Sequence, residues 1–142
     1  MKLGLHLPAT SWIGGPAQLG SRLAEIVQAA EAAGFSTIDV ADHLWQHPIM
    51  GGPTEGQLEA YTTLGFIAAH TQRVRLLALA TAVSYRSAGL LAKMVTTLDV
   101  LSGGRALLGI GAGDYHEEAE GLGLDFPAIG DRFDRLEETV QA

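Results

Sequence analysis

Hydrophobic and polar positions alternate at the start of the chain. In "KLGLHLP", Leu3, Leu5 and Leu7 fall on one face and Gly4 and His6 on the other, a strand closed by Pro8. "TSWIGG" follows as a glycine-rich loop. From Pro16 the period changes: Leu19, Leu23, Ile26, Val27 and Ala30 share one helical face, and Gly34 is a natural C-terminal stop. "STIDVAD" reads as a short second strand. The long loop "HLWQHPIMGGPTEG" comes next, and loops of that length are frequently functional. Thr54 with Gln57 forms a capping box that predicts a second helix over about 57–71. "RVRLLALAT" is a third strand and "AVSYRS" a loop. Leu90, Leu91, Met94, Val95, Leu98 and Leu101 mark a third helix stopped by Gly103 and Gly104, and "RALLGIG" is a fourth strand. A last helix is expected with Asp131 as its cap and Phe133, Leu136 and Val140 on its apolar face.

The strands begin near residues 2, 37, 74 and 105, with a helix after each. Four such units predict a parallel α/β sheet with right-handed crossovers. A small doubly wound sheet is complete at 142 residues, whereas a (β/α)8 barrel needs at least about 200. The apolar stripe of the last helix is still running at the end of the sequence. The expectation is therefore the N-terminal half of a (β/α)8 TIM barrel. No repeat or linker divides residues 1–142, which read as one domain, the N-terminal part of a larger one.

Composition narrows the chemistry. A net charge of −7 disfavours a phosphate-backbone partner, so no nucleic acid is expected. The absence of cysteine removes disulfides, thiolate metal sites and thiol catalysis. No apolar run approaches the roughly 18 residues of a membrane helix, and no targeting segment precedes Pro8, so a cytoplasmic protein without membrane contact is expected. His6, His43, His47, His70 and His116 are scattered without metal-ligand spacing, so no metal site is expected.

Sites in parallel α/β folds lie at the carboxyl ends of strands, where "GIGAGD" falls. Gly109, Gly111 and Gly113 are spaced G-x-G-x-G, Asp114 stands where a third fingerprint glycine belongs, and no clean helix start follows. The dinucleotide fingerprint and the P-loop are thus rejected. A bare turn and backbone clearance for a flat ligand both remain open. Asp42 and His43 end the second strand, as a proton-transfer pair or a loop-ordering one. Tyr85 and Arg86 close the third, as anion or ring contacts or as a packing Tyr with a surface Arg. Glu117 and Glu118 read as a solvated acidic face. His6 projects opposite the leucines, toward the interior if the sheet is a barrel.

Taken together, "ADHLW", "LAKMVTTLDVLSGGRALLGIGAG" and "FPAIGDRFDRLEE" closely resemble the luciferase-like monooxygenase superfamily, in particular its branch using the deazaflavin coenzyme F420. The resemblance implies a (β/α)8 barrel, commonly dimeric. The implied function is a flavin- or deazaflavin-dependent oxidoreductase or monooxygenase acting on a small organic molecule, with F420 as cofactor and FMN as the alternative. It places the cofactor ring beside His6, Asp42, His43, Ala82, Val83, Gly111, Ala112 and Gly113. It makes His43 the base and puts Asp114 where sugar-phosphate dehydrogenases carry an acid. Ala82–Val83 would form the bulge behind the ring, often a non-prolyl cis peptide. The tryptophan of those dehydrogenases four residues after the His is here His47, with Trp45 two residues earlier, which argues against a sugar-phosphate substrate.

In that family the cofactor phosphate is held largely by later βα loops, so the chain is expected to be an incomplete enzyme, inactive as an isolated fragment. The competing expectation is a catalytically silent half-barrel that acts by association with itself or a partner. A flavodoxin-like binding module would need a phosphate loop after the first strand, and "PATSWIGGPA" is a weak one.

Overall fold

A computed structural model describes residues 1–8 and 14–141, so most of the "TSWIGG" and "PATSWIGGPA" loop lies outside the described residues. Four strands, β1 (Gly4–Leu7), β2 (Thr37–Val40), β3 (Arg75–Ala82) and β4 (Ala106–Gly111), form one parallel sheet in the order β1-β2-β3-β4. The helices are α1 (Pro16–Ala32), α2 (Ala60–His70), α3 (Ala88–Ser102), a short α4 (His116–Gly121) and α5 (Ile129–Gln141). Sequential order without a switch point is the topology of half a (β/α)8 barrel, not of a doubly wound sheet.

The period-two pattern explains the layering. Ile38, Val40, Leu76 and Ala78 point to one face and are buried against Leu23 and Val27 of α1, Leu64 and Ile67 of α2, and Leu91 and Leu98 of α3. Leu5 and Leu7 join that core, while His6 lies on the opposite face and pairs with Asp39 of β2. At the amino ends of the strands two polar side chains peg helices to sheet. The Glu31 carboxylate accepts the backbone N–H groups of Gln72, Arg73 and Val74. The Arg105 guanidinium donates to the carbonyls of Ala68, Thr71 and Val74, satisfying acceptors at the α2 C-terminus.

Several helix boundaries differ from the sequence reading. Glu59, not Thr54 with Gln57, caps α2: its carboxylate accepts from the N–H groups of Tyr61 and Thr62, and the Gln57 amide is engaged with Gln46. Asp131 lies inside the first turn of α5 instead of capping it. A helix, α4, does follow β4. The expected core stripes are only partly covered. Ile26, Leu90 and Leu101 are exposed, and α5 buries none of its residues, because no element among those described packs over them.

Gly109 is a close-approach glycine: a Cβ there would lie 2.6 Å from the Ala78 carbonyl oxygen and 2.9 Å from a Leu77 methyl. Gly65, in the middle of α2, has open space at that position. Gly109→Ala is expected to destabilise the fold by about 1–3 kcal/mol, and Gly65→Ala to stabilise it by about 0.5–1 kcal/mol. Chemical denaturation of the two variants beside the parent checks both signs.

Candidate active site

Three strand ends converge at the carboxyl edge of the sheet. Asp42 and His43 follow β2, Tyr85 and Arg86 follow β3, and Gly111 to Asp114 close β4. All of these except Arg86 border a cavity of about 340 Å³, with Leu79, Ala80 and Ala82 forming its β3 wall.

That wall depends on a bulge. The register of β3 against β4 shifts between Ala78 and Thr81, and the Leu79–Ala80 peptide is cis. Ala78 faces the helices, and so does Thr81, which is fully buried and hydrogen-bonded to the Tyr61 hydroxyl of α2 at 2.7 Å. The extra residue thus exchanges the two faces of the strand, so Ala82, paired with Gly111, turns toward the cavity. The bulge was expected at Ala82–Val83 and lies three residues earlier. A bulge is set by register against β4, which spacing in one strand does not carry. Val83 is buried behind the wall, its N–H donating to the Gly111 carbonyl, and does not line the cavity. His6, on the open sheet face with Asp39, does not line it either. Asp42, His43, Ala82, Gly111, Ala112, Gly113 and Asp114 do.

The three glycines have separate roles. Gly109 admits the bulged backbone. Gly113 has φ +80°, and a Cβ on it would press on Ser84 Oγ at 3.1 Å and Phe126 at 3.3 Å. At Gly111 a Cβ would meet Ala80 at an ordinary 3.6 Å, so neither packing nor backbone conformation demands a glycine there. The later segment docks onto the same turn. Arg132 donates to the Gly113 carbonyl at 2.7 Å and stacks over the Phe126 ring.

Asp42 is completely buried at its side chain. Arg86 donates to both of its oxygens at 2.7 and 2.9 Å, and the Ala82 N–H adds a third bond. Arg86 also reaches Glu59 at 2.7 Å, the residue that caps α2. Arg86 is therefore an internal cross-brace and not a surface residue. Burial pushes the Asp42 carboxyl above its ordinary range while the guanidinium pulls against it.

The largest departure concerns Glu118. Expected on a solvated face, it has no exposed surface at all. Its Oε2 accepts from His43 Nδ1 at 3.0 Å and from the Tyr85 hydroxyl, and its Oε1 accepts from the backbone N–H groups of Leu44 and Trp45. The missed signal is helical spacing: Tyr115, at the N-cap of α4, and Ala119, one turn on, are buried, and Glu118 falls on the same face. The hydrogen bond that His43 donates to Glu118 raises it above the usual imidazole range. Burial alone would push the Glu118 carboxyl up, but bonds from His43, Tyr85, Trp45 and Leu44 outweigh it and hold the carboxyl low. His47 and Tyr115 stand beside His43, their rings 5.8 and 5.9 Å from it, while Trp45 packs on Gly121. Among the described residues no cluster could hold a metal ion, and no helix is long and apolar enough to cross a membrane.

A barrel half with its candidate residues gathered at the carboxyl strand ends defines the class, and the comparisons define the family. The family model of luciferase-like monooxygenases matches residues 1–142, and the chain belongs to that family. A relative in Nakamurella multipartita, an F420-dependent glucose-6-phosphate dehydrogenase, is 38% identical over 124 residues, 84% of this chain and 34% of that protein. The structure of an F420-dependent tetrahydromethanopterin reductase from Methanopyrus kandleri is 25% identical with a TM-score of 0.68, covering 89% of this chain and 31% of the other. The oxygenating constituent of 3,6-diketocamphane monooxygenase from Pseudomonas putida, solved with FMN, shares the fold at a TM-score of 0.78 and 20% identity, covering 99% and 37%. The chain spans about a third of the length of the curated relatives it matches.

Two variants test the braces. Arg86→Met leaves Asp42 buried without its counter-ion, and a loss of about 3–5 kcal/mol in denaturant unfolding is expected. For the His43–Glu118 pair the pH dependence follows from the two shifts. His43 is raised, so its contribution is full below its ordinary 6.5 and fades as pH rises through the folded value. Glu118 is lowered, so its contribution is full above its ordinary 4.5 and fades as pH falls. The stability difference between the parent and Glu118→Gln, measured across pH, should be widest between those two values.

Proposed function

We propose that this chain provides the ring-binding and proton-handling part of an F420-dependent oxidoreductase, with FMN as the alternative cofactor, acting on a small organic substrate. One observation carries the reading: the cavity is flat-walled at Gly111, a position the fold itself would allow to hold a side chain, and His43 stands at the same cavity. A planar ring fits against Ala82, Gly111, Ala112 and Gly113, with Asp42 fixing the wall from behind. Val83 and His6 would act on it indirectly, Val83 by backing the wall and His6 from a lower layer of the sheet. F420 or FMN, when bound, supplies hydride or oxygen chemistry. His43 moves the accompanying proton at Nε2, and Asp114, exposed at the rim, is the second proton-handling group. The F420-dependent relatives support F420, and the Nakamurella relative is a glucose-6-phosphate dehydrogenase. His47 in place of the dehydrogenase tryptophan favours a substrate other than a sugar phosphate.

The cavity lining contains no lysine or arginine, and Arg86 nearby is committed to Asp42 and Glu59. The ring is matched and a phosphate tail is not. Forgoing two or three charge-assisted contacts, at about 1.5–3 kcal/mol each, weakens binding by several orders of magnitude. A second reading, association as a silent half-barrel, draws on the uncovered apolar surface: Leu79 is 54%, Phe133 57% and Val140 65% exposed. Both readings predict a homodimer or larger species at tens of micromolar, and a monodisperse monomer in sedimentation velocity would contradict both.

Fluorescence titration separates them. The chain should bind F420 or FMN only in about the millimolar range, and Gly111→Leu should abolish that binding while leaving unfolding nearly unchanged. Micromolar affinity would contradict the missing-anchor account, and equal binding by Gly111→Leu would contradict the ring site. In a barrel completed with the second half of the Nakamurella relative, His43→Ala should lower turnover by about 10²-fold or more. Unchanged turnover would make His43 a loop-ordering residue.

A further inference from the structure

We infer that Glu118 is a positioning residue for His43: its buried carboxylate holds the imidazole as the Nδ1–H tautomer and leaves Nε2 as the proton-accepting atom at the cavity. The inference rests on the reading of His43 as the proton-moving group. The geometry admits little else. A carboxylate without exposed surface must be paired, and Glu118 is paired with four N–H or O–H groups, whose bonds hold it in its ionised form. Nδ1 at 3.0 Å from Oε2 has to carry hydrogen, because the opposite tautomer would set a nitrogen lone pair against an oxygen anion. Among the described residues Nε2 has no hydrogen-bond partner. The backbone bonds from Leu44 and Trp45 to Oε1 hold the carboxylate against the loop that carries the ring.

Other groups face the same imidazole. Tyr85, from the loop after β3, shares Oε2 and so moderates the pull of the carboxylate. Asp114, after β4, and Asp42, beside His43 in sequence, add negative charge. The rings of His47 and Tyr115 cover one side. Among the described residues only Glu118 is hydrogen-bonded to a ring nitrogen of His43. Asp114 therefore favours a protonated His43 from a distance, and Glu118 alone selects which nitrogen keeps its hydrogen.

The test uses the chain itself, without cofactor. Long-range nitrogen-15 spectra of the parent, recorded above the His43 pKa, are expected to show Nδ1–H, the reverse of the Nε2–H form that free histidine prefers. A parent showing Nε2–H would overturn the inference outright, whatever the variants do. In Glu118→Gln the amide accepts either tautomer, so the Nδ1–H preference should disappear and the His43 pKa should fall by about one unit or more. Glu118→Asp should retain part of both, and Glu117→Gln, a neighbouring exposed carboxylate, should change neither. An unaltered tautomer and pKa in a folded Glu118→Gln would likewise overturn it. Loss of ring binding with the tautomer intact would instead count against the cofactor reading and leave the positioning role standing.

Discussion

A buried carboxylate cannot stand alone, and the carboxyl edge of this sheet is organised around that constraint. Glu118 comes from α4, after the fourth strand, yet its four partners lie in the loops after the second and third. Each partner satisfies part of the cost of removing the charge from water. In meeting it they tie three strand ends to one point. Asp42, Arg86 and Glu59 form a second knot of the same kind, joining the end of β2 to the loop after β3 and to the N-terminus of α2. His43 sits one residue from the second knot and is bonded directly to the first.

Backbone irregularity supplies what side chains do not. The face exchange at Leu79–Ala80 turns Ala82 outward from the helices, and Gly109 makes room for the bulged strand beside it. The run of glycines is therefore neither a phosphate cradle nor only a turn. Gly109 answers to packing and Gly113 to a left-handed turn, while Gly111 borders the cavity and is demanded by neither. The opposite end of the sheet shows no comparable irregularity. There Glu31 and Arg105 cap strands and helix ends, as expected of the stability face of a barrel.

The strands, their order and the half-barrel architecture were legible because they follow from local periodicity. Leu5, Leu7, Ile38, Leu76 and Leu91 are where period two and period 3.6 put them. Asp42, His43 and Asp114 were legible as candidates from their places at strand ends. What escaped was set by contacts distant in sequence. Glu118 meets His43 across 75 positions and Arg86 meets Asp42 across 44, and neither partnership leaves a local pattern. Glu118 was read as exposed because it is charged, which holds for most acidic residues but fails where partners are supplied by other elements, while for Arg86 the alternative of an anion or ring contact fits its bonds to Asp42 and Glu59. The bulge escaped for the same reason, since register belongs to two strands together. The Thr54–Gln57 box failed because Glu59, nearer the apolar face of α2, outcompetes it and is itself anchored by Arg86.

The central claim is that a planar ring rests on the Gly111 wall beside His43. It is tested most directly by backbone amide mapping with riboflavin or its 8-hydroxy-5-deaza analogue, which carry the ring without the charged tail. Shifts concentrated at Ala80, Ala82, His43 and Gly111 to Gly113, saturating together, are the predicted result. Shifts centred instead on the neighbouring cleft of Ser84, Ser87 and Arg135, or no saturable shifts at all, would contradict it.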